Sequence, residues 1–236
     1  MLKKIGDRLT IIGVAHVLPK SVVEVRDTIE RERPETVAVE LCPVRYAALV
    51  GRAREARASE ALRSGQLRLL ITGKLFRLIQ TKFAHQTGMP AGEEMLAAIK
   101  CAKEVGARVE LIDQNIAMTL QRLVGQMGRG EKIRLIGEIL LALLPFGGKR
   151  IAIEKVTEDQ VVVWLLSSLK QSSPTSYRVL IEERDEYMAA RILIILARGE
   201  GKVVCVVGAG HVPGLYRRLA AQAESGWGIN LKYPVT

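Results

Sequence analysis

Short β-branched runs alternate along this chain with longer stretches whose apolar residues recur three and four apart. Leu9 to Val14 (Leu-Thr-Ile-Ile-Gly-Val), Thr36 to Leu41 (Thr-Val-Ala-Val-Glu-Leu), Arg108 to Ile112 and Val203 to Val207 read as strands. Between the first two, Lys20 to Arg33 predicts a helix. Ser21 is its expected N-cap, with Glu24 three residues on to complete a capping box, and Pro34 marks its end. Glu93 to Val105 predicts another helix, stopped by Gly106. Ile116 to Gln126, Glu131 to Leu144, Glu158 to Lys170 and Pro174 to Arg198 follow the same helical spacing. Strands alternating with helices predict an α/β fold: a small, mainly parallel sheet of about four core strands with flanking helices. The helical stretches 50–86 and 116–198 exceed what crossovers need, and predict a large helical cap within a single domain spanning 1–236.

Composition narrows the class. Of the 236 residues 48% are hydrophobic, enough for a buried core and against wholesale disorder. Three widely spaced cysteines, Cys42, Cys101 and Cys205, form neither a disulfide framework nor a metal-type pair. Set among apolar neighbours, they read as small core residues of a reducing compartment. The apolar runs Ile133 to Phe146 and Val161 to Leu166 fall short of the roughly 18–20 residues a membrane span needs. The first residues lack the apolar centre of a signal peptide. The expected location is the cytoplasm, or the cytoplasmic side of a membrane.

The net charge is +10, which raises nucleic acid, an anionic membrane surface or an acidic partner. Residues 51–86 carry eight basic side chains against Glu55 and Glu60, so +6 of the total sits there. Leu67, Leu70, Ile71, Leu75, Leu78 and Ile79 give that segment an amphipathic stripe. It reads as a solvated basic helical face, with anionic lipid as the sharper partner and a homodimer as another way to bury the stripe. Nucleic acid drops out of the expected partners: aromatics are only 4% of the chain and no recognition motif is present.

Two strands end alike. Gly13-Val14-Ala15-His16-Val17 and Gly208-Ala209-Gly210-His211-Val212 repeat a Gly-x-x-His-Val pattern, and two of the chain's three histidines occupy it. Carboxyl ends of strands in open parallel sheets are where ligands bind. The glycines would let the backbone approach a ligand closely or take a positive φ. Gly208 to Gly214 also resembles a phosphate-binding turn, although Pro213 removes one amide donor. Glu40 near the end of the second strand and Asp113 after the third complete a His/His/Glu/Asp set that suits a divalent metal or an acid–base pair. Arg45 is placed to hold a substrate carboxylate or to orient Glu40. Glu182-Glu183-Arg184-Asp185 adds charge to an otherwise apolar helix, and by composition alone reads as surface ion pairing.

In order and spacing these motifs, with Val-Ala-Val-Glu-Leu-x-x-x-Arg-Tyr, Gly-Glu-Glu-Met-x-x-Ala-Ile, Leu-Ile-Asp and Glu-Arg-Asp-Glu-Tyr-Met-Ala, resemble the TraB/PrgY family over nearly the whole chain. That family is similar to the Tiki metalloproteases and, more distantly, to the erythromycin esterase and ChaN haem-binding folds. Its named members are linked to shutting down peptide pheromones, and Tiki cleaves a peptide segment of Wnt. The resemblance implies that His16 and His211 are the signature histidines and Glu40 the acidic residue of the second strand. It makes Arg45, Glu94, Asp113 and Arg184 further motif positions. Many relatives continue into C-terminal membrane helices, so a chain ending at Thr236 is expected to be a soluble member or fragment.

The expected function is therefore a metal-dependent hydrolase acting on peptides. His16, His211 and Glu40 would bind Mn²⁺, Co²⁺ or Zn²⁺. Glu94 or Asp113 would accept the proton of water, and Arg45 would stabilise the oxyanion or fix the substrate. The alternatives are a metal-independent, esterase-like hydrolase using His16 and Glu40, and a non-catalytic peptide-binding or signalling module.

Overall fold

A five-stranded sheet organises the chain, with β1 (Leu2–Ile5), β2 (Leu9–Val14), β3 (Thr36–Val39), β4 (Arg108–Leu111) and β5 (Val203–Gly208) in the order β1-β2-β5-β3-β4. The computed structural model describes residues 1–14, 19–50, 92–134, 137 and 158–223. Four strands are parallel, as expected, and the fold is α/β with a mostly parallel sheet. The fifth, β1, pairs antiparallel with β2 along one edge. Its two lysines hide it from a search for apolar runs, and on an edge strand such charges block further pairing.

Every residue of β2, β3 and β5 is buried. Strands covered on both faces need such unbroken apolar runs. Side chains alternate between the faces with a period of two. Ile12, Val14, Val37, Val39, Val204 and Val206 pack with Val25 and Ile29 of α1 (Pro19–Glu32) and with Met95, Ala98 and Ile99. Those last three belong to α3 (Glu93–Glu104), which follows the short helix α2 (Pro43–Leu49). On the opposite face Leu9, Ile11, Ala38, Cys205 and Val207 meet later helices. After α4 (Ile116–Gln126), α5 (Glu158–Ser172), α6 (Pro174–Tyr177) and a π-helical turn Arg178–Glu182, these are α7 (Glu183–Arg198) and α8 (Val212–Ala223). They contribute Met188, Ile192, Leu196, Leu215 and Leu219. Complete burial of each such side chain stabilises the fold by about 1.5–3 kcal/mol.

Local signals fared differently. Helix α1 begins at Pro19, so Ser21 lies within the first turn instead of capping it. Proline fits there because a first-turn amide has no helical acceptor to lose. Gly106 ends α3 at φ +76°, a conformation that glycine adopts without a Cβ penalty. The predicted helix from Pro174 to Arg198 is interrupted by the π-helical turn, a feature that hydrophobic spacing does not encode. Helix α2 was not predicted. Cys42 precedes it and Pro43 opens it, again in a position where proline is tolerated.

Within 116–198, α7 packs on the sheet, whereas Leu123 of α4 and Met127 just after it pack onto Val179 of the π-helical turn. The basic segment 51–86, with His85, lies outside the described residues, as does most of the expected helix 131–144. Among the described residues no helix is long and apolar enough to cross a membrane.

Candidate active site

Parallel pairing brings the carboxyl ends of β2, β5, β3 and β4 to one edge of the sheet, and each strand runs into a motif singled out above. Val39 pairs with Val206, and the Glu40 amide continues the ladder to the Val206 carbonyl at 3.0 Å. On the other side, Ile112 donates to Val39 O at 3.1 Å and Asp113 to Leu41 O at 3.2 Å. Backbone register therefore sets Glu40 between the end of β5 and Asp113. His211 closes a 3₁₀ turn, Ala209–His211, directly after β5. His16 lies outside the described residues.

Arg184 of α7 joins the two acids. Its Nε and Nη2 bond both oxygens of Asp113 at 2.9 Å, a bidentate fork, and Nη2 also donates to Glu40 Oε1. Nη1 donates to the Leu180 carbonyl at 3.3 Å. Asp113 further accepts from Arg45 Nη1 at 3.3 Å and from the Gln114 amide at 2.9 Å. Glu40 Oε2 accepts the Gly208 amide at 2.6 Å. His211 faces two carboxylates: Nδ1 lies 2.6 Å from Asp185 Oδ1, and Nε2 lies 3.4 Å from Glu40 Oε1. Glu40, Asp113, Arg184 and His211 are thus brought into one buried cluster, with Arg45 at its more exposed rim. Glu94 is fully buried in the first turn of α3, on the sheet face shared with α1.

Burial alone would push Glu40 toward its neutral form. His211, Arg184 and the Gly208 amide outweigh it and hold the carboxyl well below the ordinary glutamate range. Burial likewise opposes a charge on His211, but Glu40 and the hydrogen bond to Asp185 raise it to about 9. Burial raises Asp185, so this coupled pair holds a proton between imidazole and carboxylate. Arg184 is raised in spite of its burial, because Glu40 and Asp113 hold its charge. With His211 protonated, Arg45, Arg184 and His211 balance Glu40, Asp113 and Asp185 charge for charge, which makes so many buried ions tolerable.

Asp185 is the member that sequence reasoning passed over. It lies in phase with Met188, Ala189, Ile192 and Leu196, the buried stripe of α7. A carboxylate on an apolar helical stripe was the available signal, and the neighbouring charges 182–184 masked it. The motif glycines also act otherwise than expected. Gly13 is absent from the positive-φ residues and Gly208 has φ −58°. Gly13 instead packs against Val212, while Gly208 aims its amide at Glu40. That bond also argues against the phosphate-turn reading, since the protein's own carboxylate already takes the first amide.

Two donor atoms at this edge, His211 Nε2 and Glu40 Oε1, have a spacing compatible with a divalent ion once the imidazole is neutral. Two ligands each about 2.1 Å from a tetrahedral ion stand roughly 3.4 Å apart, which matches the separation of His211 Nε2 from Glu40 Oε1. Asp185 at Nδ1 supplies the outer carboxylate that metal-ligating histidines usually have. A carboxylate oxygen has two lone pairs, so Glu40 Oε1 can serve Arg184 and a further partner. Elsewhere among the described residues, Glu30, Cys101 and Glu104 place ligand atoms within 4.8 Å of one another. There Arg26 already bridges the carboxylates, at 2.8 Å to Glu30 and 3.1 Å to Glu104.

Known proteins are similar to this chain over most of its length. An uncharacterized protein of Methanocaldococcus jannaschii is 33% identical over 225 residues, covering 94% of this chain and 55% of that protein. TraB domain-containing proteins of Homo sapiens and Mus musculus are each 26% identical over 251 residues, covering 96% of this chain and 64% of theirs. The chain thus spans between about half and two thirds of the length of these relatives. A sequence model of the TraB/PrgY/gumN family matches residues 1–230. With a family match over nearly all its length, the chain belongs to the TraB/PrgY/gumN family.

Proposed function

We propose that this chain is a hydrolase of peptide substrates, working with a divalent metal at the carboxyl edge of its sheet. The observation that carries the reading is His211, whose Nδ1 is engaged by Asp185 while its Nε2 looks toward Glu40. His211, Glu40 and His16 would hold Mn²⁺, Co²⁺ or Zn²⁺. Such an ion, when bound, polarises a carbonyl and lowers the pKa of water. Arg184 holds Glu40 and Asp113 in place, with every nitrogen of its guanidinium engaged. Glu94 or Asp113 takes the proton of water; Asp113 is the one held in the cluster, where its two oxygens accept four N–H groups. Arg45, the more exposed arginine, binds the substrate's carboxylate or carbonyl oxygen.

A metal-independent version has its own support: Arg184 and Gly208 already occupy both oxygens of Glu40. In that version His16 activates water, oriented by Glu40. The test is to incubate the purified protein with a diverse peptide library, with and without each metal, and to read products by mass spectrometry. Metal-stimulated cleavage that both His16→Ala and His211→Ala abolish, with folding intact, is the expected result. Full activity in either variant sinks the metal assignment, and chelator-insensitive cleavage selects the second version. Saturable peptide binding without products selects a binding module instead.

A further inference from the structure

We infer that Asp185 is the positioning residue of His211, keeping the proton of the neutral imidazole on Nδ1 and leaving Nε2 free to face Glu40. Two carboxylates compete for that proton. Asp185 Oδ1 stands 2.6 Å from Nδ1, a strong hydrogen-bond distance, whereas Glu40 Oε1 stands 3.4 Å from Nε2, long for a hydrogen bond. Glu40 is in addition held by Arg184 and by the Gly208 amide, which draw its charge away from the imidazole. Asp185 therefore takes the ring proton, and the lone pair on Nε2 points at the reacting edge of the sheet.

The backbone around Asp185 is built for this contact. Asp185 is 2% exposed and enters from the buried stripe of α7, which fixes its carboxylate against His211. Gly214, in the first turn of α8, makes the approach possible: a Cβ there would lie 1.8 Å from Asp185 Oδ2. Arg218, one turn further, bonds the Gly214 and Glu182 carbonyls at 3.3 and 3.5 Å and ties this turn to the end of the π-helical segment before α7. The Gly-x-x-His-Val-Pro-Gly motif thus carries both the imidazole and the glycine that admits its partner.

The consequence for turnover rests on the hydrolase reading, but the tautomer itself is measurable without any substrate. The chain has only three histidines, so ¹⁵N-histidine labelling with long-range ¹H–¹⁵N spectra resolves each ring. His16→Gln and His85→Gln variants serve for assignment. At alkaline pH, with the ring neutral, His211 is expected to carry its proton on Nδ1. Asp185→Ala moves that proton to Nε2, the tautomer imidazole prefers in water, and Gly214→Ala shifts it in the same direction by displacing the carboxylate. Wild-type protein with the proton on Nε2 overturns the inference with no variant needed. So does a folded Asp185→Ala variant that keeps the proton on Nδ1. If the chain hydrolyses peptides, Asp185→Ala lowers the rate by about 10–100-fold. A tautomer switch in a protein that cleaves nothing retires the hydrolase reading and leaves this one standing.

Discussion

Gly13 of β2 and Val212 of α8 are in direct contact: a Cβ added to Gly13 would lie 2.5 Å from Val212 Cγ2 and 3.1 Å from the Ala209 Cα. The first residue of one Gly-x-x-His-Val motif therefore packs on the last residue of the other. Because β2 and β5 are neighbours with Val14 paired to Gly208, the repeated pattern in the chain becomes an interlock in space.

That contact predicts the effect of Gly13→Ala. One obstacle is backbone, so the clash cannot be relieved by rotating a side chain. The expected cost is about 1–3 kcal/mol, seen as a lower urea midpoint with an unchanged slope. A midpoint equal to wild type would show that α8 moves aside freely.

Arg184 and Arg45 should separate by consequence. Arg184→Met leaves Glu40 and Asp113 buried without their shared cation and is expected to cost about 3–5 kcal/mol in denaturant unfolding. Arg45 makes one contact of 3.3 Å from a side chain 25% exposed, and Asp113 keeps Arg184 when it is removed. Arg45→Ala should therefore cost under about 1 kcal/mol, while weakening peptide binding or turnover.

Acid should loosen the amino end of the sheet. Glu32 bonds Lys4 at 2.6 Å and Lys202 at 3.1 Å, tying α1 to β1 and to the start of β5. These contacts lower its carboxyl to about 2. The unfolded chain then binds the proton first as pH drops, so the contribution is complete above about pH 4.5 and fades toward pH 2. Stability measured across that window should fall less steeply in Glu32→Gln than in wild type. Parallel curves would remove Glu32 from the acid response.

All three cysteines should report global unfolding. Cys42, Cys101 and Cys205 are buried, and burial pushes the thiols of Cys101 and Cys205 above their ordinary range. Thiol labelling of native protein at neutral pH is expected to follow the unfolding rate. Rapid labelling of one cysteine under native conditions would reveal a local opening.

Hydrophobic pattern made β2, β3 and β5 legible because strands buried on both faces must be apolar throughout. Strand β1 escaped notice since an edge strand tolerates Lys3 and Lys4. The π-helical turn at 178–182 escaped for a different reason: Arg-Val-Leu-Ile-Glu is an ordinary helical sequence, and only the hydrogen-bond ladder distinguishes it. At the site, Glu40, Asp113 and His211 were visible because each follows a strand at its carboxyl end. Asp185 was not, because its helix carries four charges in a row and burial decides which of them matters.

The sequence by itself determined the α/β class, the parallel core and the family, since periodicity and motif order are local properties of the chain. It also placed the histidine and carboxylates at strand ends, where any parallel sheet would gather them. The tertiary structure decided the pairings: Arg184 on Glu40 and Asp113, and Asp185 on His211. Such partners lie up to 144 positions apart. Their charges can be buried only where the packing of α7 and α8 against β5 brings opposite signs within hydrogen-bond distance, which spacing along the chain does not specify.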